Sequence, residues 1–282
     1  MSEAVRSPRE RYRRQVREEI KTLAWEQVAT TGASALSLNA IAKRMGMSGP
    51  ALYRYFGSRD ELITELVLDA YRDLSGTCRT AADGPTAPEA RLSAVATALR
   101  TWALDAPHRY LLIFGTPVPG YAGPPEATEI AAELMSVLLN AFAGEESAGE
   151  AGAKASAEKN AKAPPEAPPE TGAETDAETG AETGAKAEAK AGAQIGAASD
   201  GGSGWDAARA LESHLAGHRT WVPDSGASEA ALRRALTFWT RLHGVISLEV
   251  AGHFTGMGFD PALLYAAETE AAVHPAQATR DT

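Results

Sequence analysis

Apolar residues recur at intervals of three and four along almost the whole chain, the spacing of helices that bury one face. From Arg9 to Thr31 the stripe is Val16, Ile20, Leu23, Ala24 and Val28, and Gly32 follows as a stop signal. Two short patterns come next. Ser37 stands as an N-cap before Ile41, Ala42 and Met45, and Ser48 as an N-cap before Leu52 and Phe56, with Gly46-Met47 as the turn between them. Ser58-Arg59-Asp60-Glu61 reads as a capping box that starts a longer helix through Leu62, Leu66, Ala70 and Leu74, with Ile63 and Val67 beside them. Continued to Arg79, that helix would be roughly 30 Å long at 1.5 Å per residue, enough to link two halves of a protein.

Beyond it, Gly84-Pro85 to Pro88 breaks the pattern. Glu89 to Asp105 is helical again, Tyr110 to Phe114 is a short apolar helix ending at Gly115, and a Pro/Gly-rich loop carries Tyr121. Ile130 to Phe142, Trp205 to Trp221, Glu229 to Val250 and a last segment after Asp260-Pro261 complete the helical patterns. Within Glu229 to Val250 a heptad-like seam of Leu232, Leu236, Trp239, His243, Ile246 and Val250 suits packing between subunits, or burial within one. Residues 144–204 have another character: apart from alanines, Ile195 is the single apolar residue, and TGAET-like units repeat. Such a stretch buries too little apolar area to offset its ordering entropy, so it is expected to be a disordered, inert spacer.

Composition changes the picture in one respect. Net charge is −10, which alone would argue against nucleic acid, but Met1 to Arg59 holds eleven Lys and Arg against five Asp and Glu. A basic head on an acidic body favours phosphate at one end only. The arginines from Arg6 to Arg17 read as a basic arm that follows the DNA backbone or enters the minor groove, or as a solvated terminus. One cysteine, Cys78, excludes an intrachain disulfide and a multi-cysteine metal site. With no secretory signal and no apolar run long enough to span a bilayer, the expected location is the cytoplasm.

The stretch LSLNAIAKRMGMSGPALYRYFGSR, Leu36 to Arg59, is a helix, a tight turn and a second short helix, a geometry that can lay the second helix in a major groove. Its outer face opens with Gly49, Pro50 and Ala51, small enough for close approach to base edges, and continues with Tyr53, Arg54 and Tyr55. The spacing of Ile41-Ala42, Gly46, Ser48, Leu52-Tyr53, Tyr55-Phe56 and Ser58-Arg59 resembles the DNA-binding domain of the TetR family of bacterial repressors. Arg59 departs from the lysine usual there. Pro107 to Tyr110, the run FGTPVPGY and Phe238 to Phe254 resemble an effector-domain subgroup of that family named for a Trp-His-Gly motif. Here that tripeptide is Leu242-His243-Gly244, with Trp239 three residues earlier.

The resemblance implies an all-α fold: a three-helix DNA-binding domain, residues 1–58, and a helical ligand-binding and dimerisation domain, residues 59–282. It implies Asn39, Gly49, Pro50, Ala51 and Tyr53 at base edges and Lys43, Ser48, Arg54, Tyr55 and Arg59 near phosphates. The partners it implies are a double-stranded DNA operator, a second copy of the chain and a small effector, with no cofactor and no membrane. Trp102, Tyr110, Phe114, Tyr121, Met135, Trp239 and His243 are candidates for an effector pocket suited to an apolar or aromatic molecule, or else for core filling. No phosphate loop, nucleophile elbow or metal signature points to an enzyme. His214 and His218 share a helical face without a recognisable third metal ligand. The expected function is a repressor released by its ligand; a ligand-responsive activator or an architectural DNA-binding protein is the alternative, with an enzyme using the C-terminal cavity behind it.

Overall fold

In the computed structural model the described residues are 7–161, 203–219, 221–222 and 226–274; they form ten α-helices and one 3-10 turn, with no strand among them. The first helix, α1, spans Pro8–Thr31. It opens on a full capping box: Ser7 Oγ accepts from the Glu10 amide, and the Glu10 carboxylate accepts from the Ser7 amide at 2.9 Å. From Arg9 onward the expected basic arm is therefore part of a helix; Arg6 lies outside the described residues. After the 3-10 turn Ala33–Ala35 come α2 (Leu38–Arg44), α3 (Gly49–Leu52) and α4 (Arg59–Asp83). Ser37, Ser48 and Ser58 each cap the helix they precede. At Ser58 the box is only half formed, because the Glu61 carboxylate turns to the Gly57 amide at 2.6 Å.

The body consists of α5 (Pro88–Asp105), α6 (Pro107–Phe114), α7 (Pro125–Ala161), α8 (Ser203–Gly217), α9 (Glu229–Val250) and α10 (Pro261–Val273). Helix α7 runs on past Gly144 through a stretch rich in Ala, Glu and Lys, residues that favour helix without any partner. Of the expected spacer 144–204, residues 162–202 lie outside the described residues. The helix expected to reach Trp221 stops at Gly217.

Two apolar cores meet inside α4. Leu62, Ile63, Leu66 and Val67 belong to the head, with Val16, Ile20, Ile41, Leu52 and Phe56. From Ala70 and Leu74 onward α4 joins the body core of Leu92, Leu99, Leu138, Phe142, Leu232, Phe238 and Leu242. One continuous helix thus serves both cores, and Trp25 and Ile113 pack against both. Polar ties hold α1 on α4: Lys21 reaches Asp69 at 2.8 Å and Arg17 reaches Glu65 at 3.1 Å. Burial works against the Lys21 charge, but Asp69 and Glu18 outweigh it and leave the ammonium pKa raised.

The buried face of α9 is Ala231, Leu232, Ala235, Phe238, Leu242, Val245 and Ile246. The heptad-like seam is thus spent inside the protomer. Leu232 and Ile246 are buried, and Leu236, Trp239 and Val250 are half-buried against the body core. Of the two uses that the spacing left open, burial within one protomer is what Leu232 and Ile246 show, with α9 packed by α5, α7, α8 and α10.

Candidate nucleic-acid interface and effector core

The turn between α2 and α3 depends on Gly46, whose φ of +67° places it in the left-handed region that β-carbon-bearing residues avoid. The Met47 amide then bonds back to the Ala42 carbonyl at 2.9 Å, closing the end of α2. This sends α3 off with Leu52 and Phe56 fully buried, so the opposite face is turned outward. Asn39, Lys43, Ser48, Pro50, Tyr53 and Arg54 are exposed, while Gly49, Ala51 and Tyr55 are half-buried. The Ser48 hydroxyl is also occupied as the cap, accepting from the Ala51 amide. Tyr53 exposes 46% of its surface, unusual for a side chain of its size.

Arg59 stands apart from the other expected contacts. Its Nη2 donates to the carbonyls of Ala33 at 2.9 Å and Ser34 at 3.0 Å, and its Nε donates to Leu36 at 3.1 Å. The guanidinium expected at a phosphate is engaged in closing the turn before α2, where the Ala33 carbonyl also accepts from the Leu36 amide at 3.2 Å. Two arginines that looked like backbone followers also have structural work. Arg13 donates to the Arg54 carbonyl at 3.3 Å, and Arg17 donates to the Tyr55 carbonyl while its guanidinium lies 4.1 Å from the centre of the Phe56 ring. They tether the C-terminal end of α3 to α1, where cations meet helix carbonyls favourably. Spacing alone could not reveal this, since the acceptors lie about forty residues away.

In the body the structure brings four of the seven effector candidates together. The Phe114 ring lies 4.4 Å from His243, 5.2 Å from Tyr110 and 5.9 Å from Trp239, and Trp239 is 4.0 Å from His243. His243 Nδ1 is 3.0 Å from the Tyr110 hydroxyl, which is 2.8 Å from Ser247 Oγ. Its other ring nitrogen, Nε2, is buried with no hydrogen-bond partner. Burial drives the imidazole pKa down to about 4, so the ring is neutral at pH 7. Tyr71 of α4 joins this cluster 5.9 Å from Phe114. It was not singled out from the sequence, because it lies just beside the Leu66-Ala70-Leu74 stripe.

The other three candidates lie elsewhere. Trp102 donates Nε1 to Asp73 at 2.9 Å, and Arg109 meets the same carboxylate oxygen at 2.6 Å. Met135 is buried in the body core. Tyr121 packs against the head core, and its hydroxyl is 3.2 Å from Thr64 Oγ1 on α4.

Tyr121 belongs to a strap, residues 115–124, that crosses from α6 to α7. Val118 of this strap is buried in the head core. Beneath it lies a cavity of about 410 Å³ walled by Val67, Tyr71, Ile113, Val118, Tyr121 and Ala127. A second cleft, about 580 Å³, separates the end of α1 (Val28, Ala29) from α6 (His108, Leu111). Next to it Trp25 meets His108 edge-on at 5.6 Å, with the Arg109 guanidinium 5.3 Å from the Trp25 ring. His214 of α8 stacks at 4.2 Å on His218, which lies one residue past the end of that helix, and among the described residues no three His, Cys, Asp or Glu side chains group as metal ligands. Cys78 is buried, and burial pushes its thiol up to about 12, which leaves it protonated and unreactive.

Comparison with known proteins agrees with this geometry. Residues 20–66 match the profile of bacterial regulatory proteins of the tetR family, and residues 92–272 match the tetracyclin repressor-like C-terminal domain. A stretch of 134 residues is 42% identical to the HTH-type transcriptional regulators Rv1816 of Mycobacterium tuberculosis and Mb1846 of Mycobacterium bovis. It takes in 46% of this chain and 57% of theirs, so the match spans little more than half the length of these curated relatives. The crystal structure of a candidate regulatory protein, SCO4313, is 49% identical over 95% of this chain and all of its own, with a TM-score of 0.68. A protein with unknown function from Rhodococcus sp. RHA1 shares the fold alone, at 16% identity and a TM-score of 0.55 over 92% of this chain and 94% of its own. With head and body each matched in order, and the second profile spanning more than half of the chain, the protein belongs to the TetR family of bacterial regulatory proteins.

Proposed function

We propose that the chain acts in the cytoplasm as a homodimeric transcriptional repressor that holds a near-palindromic DNA operator and releases it when a small, largely apolar ligand enters the body. The observation that carries this reading is the outward face of α2 and α3. Asn39, Lys43, Pro50, Tyr53 and Arg54 are presented to solvent on a scaffold whose apolar side is wholly buried. An exposed tyrosine between small residues and cations suits base edges flanked by phosphates. A dimer then reads two half-sites about one helical turn, or a multiple of it, apart.

Release requires the ligand to favour a state in which the two heads no longer fit the operator. Helix α6 and the strap supply a route for that coupling. Phe114, at the end of α6, packs in the aromatic cluster, while Val118 and Tyr121 a few residues on are seated against the head. A preference of about 1.4 kcal/mol for the released state relieves repression tenfold.

The test is selection of bound duplexes from a random DNA pool, repeated across a panel of small molecules, with recovered ligand checked for chemical change. Enrichment of a palindrome that one compound abolishes, itself unaltered, supports repression. A bound duplex whose retention requires a compound would point to an activator, and a duplex bound without sequence preference to an architectural protein.

A further inference from the structure

The strap cavity and the His243 cluster are neighbours separated by one ring. Tyr71 and Ile113 wall the cavity, and Gly115 lies at its edge. Phe114, between those last two in sequence, contacts Tyr71 on one side and His243 on the other, at 5.9 and 4.4 Å between ring centres. The cavity measures about 410 Å³, within the range of about 300–1,000 Å³ usual for small-ligand pockets. A buried polar atom without a partner is uncommon and calls for an explanation, which an occupant would supply. His243 Nε2 is such an atom, and it sits among Phe114, Trp239 and Tyr110.

We propose that the cavity beneath residues 115–124 is the outer chamber of the effector site, that Phe114 is its inner gate, and that His243 Nε2 is the hydrogen-bonding point an effector reaches when that ring swings aside. This rests on the reading of the body as an effector-binding unit and names the chemistry of its ligand. Tyr71, Phe114, Tyr110 and Trp239 offer ring faces, so the molecule is flat and largely apolar. The ring and hydrogen-bond neighbours of the imidazole are Tyr110, Phe114, Trp239 and, through the tyrosine hydroxyl, Ser247. None carries charge, and with its pKa near 4 the imidazole is itself neutral at pH 7. A carboxylate or phosphate would lose its hydration there without gaining a counter-charge. The effector is therefore uncharged, with one hydroxyl, carbonyl or N–H at its leading end. Swinging Phe114 moves the residue directly before the strap, so entry of the ligand disturbs the element that seats Val118 and Tyr121 on the head.

Three probes of one shape separate the possibilities: 1-naphthol, naphthalene and 1-naphthoate, added to the full chain at pH 7.5. Trp239 fluorescence reports binding, with Trp239→Phe identifying its share of the signal. Phe114→Ala should tighten 1-naphthol at least tenfold and leave it at least tenfold tighter than either other probe. Adding His243→Phe should abolish the preference of 1-naphthol over naphthalene. Equal binding of 1-naphthol and naphthalene to Phe114→Ala, or a preference that survives His243→Phe, would overturn the proposal. Should Phe114→Ala not fold, wild-type protein labelled with ¹⁵N in its histidine rings decides the matter. A shift of the His243 Nε2 signal with saturating 1-naphthol but not with naphthalene supports the site, and an unmoved signal overturns it. Failure of the repressor reading would look different: no duplex would be selected, while the order of probe affinities would be unaffected.

Discussion

Arg59 Nη2 lies 2.9 Å from the carbonyl oxygen of Ala33, and the same guanidinium reaches Ser34 and Leu36. Hydrogen bonds from a charged donor are worth about 1.5–3 kcal/mol. Since the Arg59 side chain is 31% exposed, the lower end applies, about 1.5 kcal/mol. Arg59→Ala should therefore lower the melting temperature by several degrees and leave the salt dependence of DNA binding as it was. Arg59→Lys should recover only part of the loss, because one ammonium cannot span three carbonyls as the planar fork does. An unchanged melting temperature with a salt slope reduced by roughly one phosphate would restore the phosphate role expected from sequence.

Lys43 and Tyr53 are both exposed on the head and should behave in the opposite way. Surface substitutions of this kind usually change stability by less than about 0.5 kcal/mol. Lys43→Ala should weaken all duplexes alike and reduce the salt slope by about one, whereas Tyr53→Ala should relax sequence preference with the slope intact. Matched thermal melts and salt-titrated binding curves separate the two. If either variant binds like the wild type across the selected duplexes, that residue lies off the interface.

His243 makes stability depend on pH in a predictable direction. Its pKa is held near 4 by burial, against an ordinary value of 6.5. Above pH 6.5 the ring is neutral in both folded and unfolded chains and contributes no slope. Between 6.5 and 4 the unfolded chain binds the proton first, so stability falls as pH falls, by at most about 3 kcal/mol, and the loss levels off below 4. Denaturant unfolding from pH 7 to 4.5 should show this fall in the wild type, and His243→Phe should remove its share of the slope, so that the two curves converge or cross as pH falls. Parallel curves for the two proteins would mean that the imidazole stays hydrated.

Head and body differ in how much the sequence disclosed. Apolar spacing located α1 and α9 to within a few residues, and spacing together with the caps Ser37 and Ser58 located α2 and α4, because each helix buries one stripe. Gly46 marked the turn for the same local reason. The structural partners of Arg13, Arg17 and Arg59 were not legible, because a cation on an amphipathic segment looks the same whether it meets phosphate or a carbonyl distant in sequence. The aromatic cluster around His243 was half legible. Aromatic residues at helical spacing picked out Tyr110, Phe114, Trp239 and His243, but only tertiary packing could separate them from Trp102 on Asp73 or Tyr121 on Thr64.

In the proposed homodimer, Leu232 and Ile246 of the seam are not available as the subunit contact. Ile246 is fully buried in its own protomer, so a charge there should unfold the body instead of splitting a dimer. The outer face of α9 carries Thr237, Thr240, Arg241, Gly244 and Leu248, and Leu248 exposes 44% of its surface. Gly244 is mid-helix, and a Cβ added to it would meet nothing within 4 Å. Nothing inside the protomer calls for glycine there, although it costs about 0.5–1 kcal/mol relative to alanine. A helix of a second copy crossing α9 at this point would need that space, with Leu248 packing beside the crossing. Gly244→Leu should thus leave the helical content and melting of the monomer unchanged or slightly improved, while weakening self-association at least tenfold. Because two half-sites need two linked heads, operator affinity should fall in parallel. Sedimentation at micromolar concentration measures the first effect and titration with the selected duplex the second. A Gly244→Leu protein that sediments as a dimer and binds the operator like the wild type would place the subunit contact on another face.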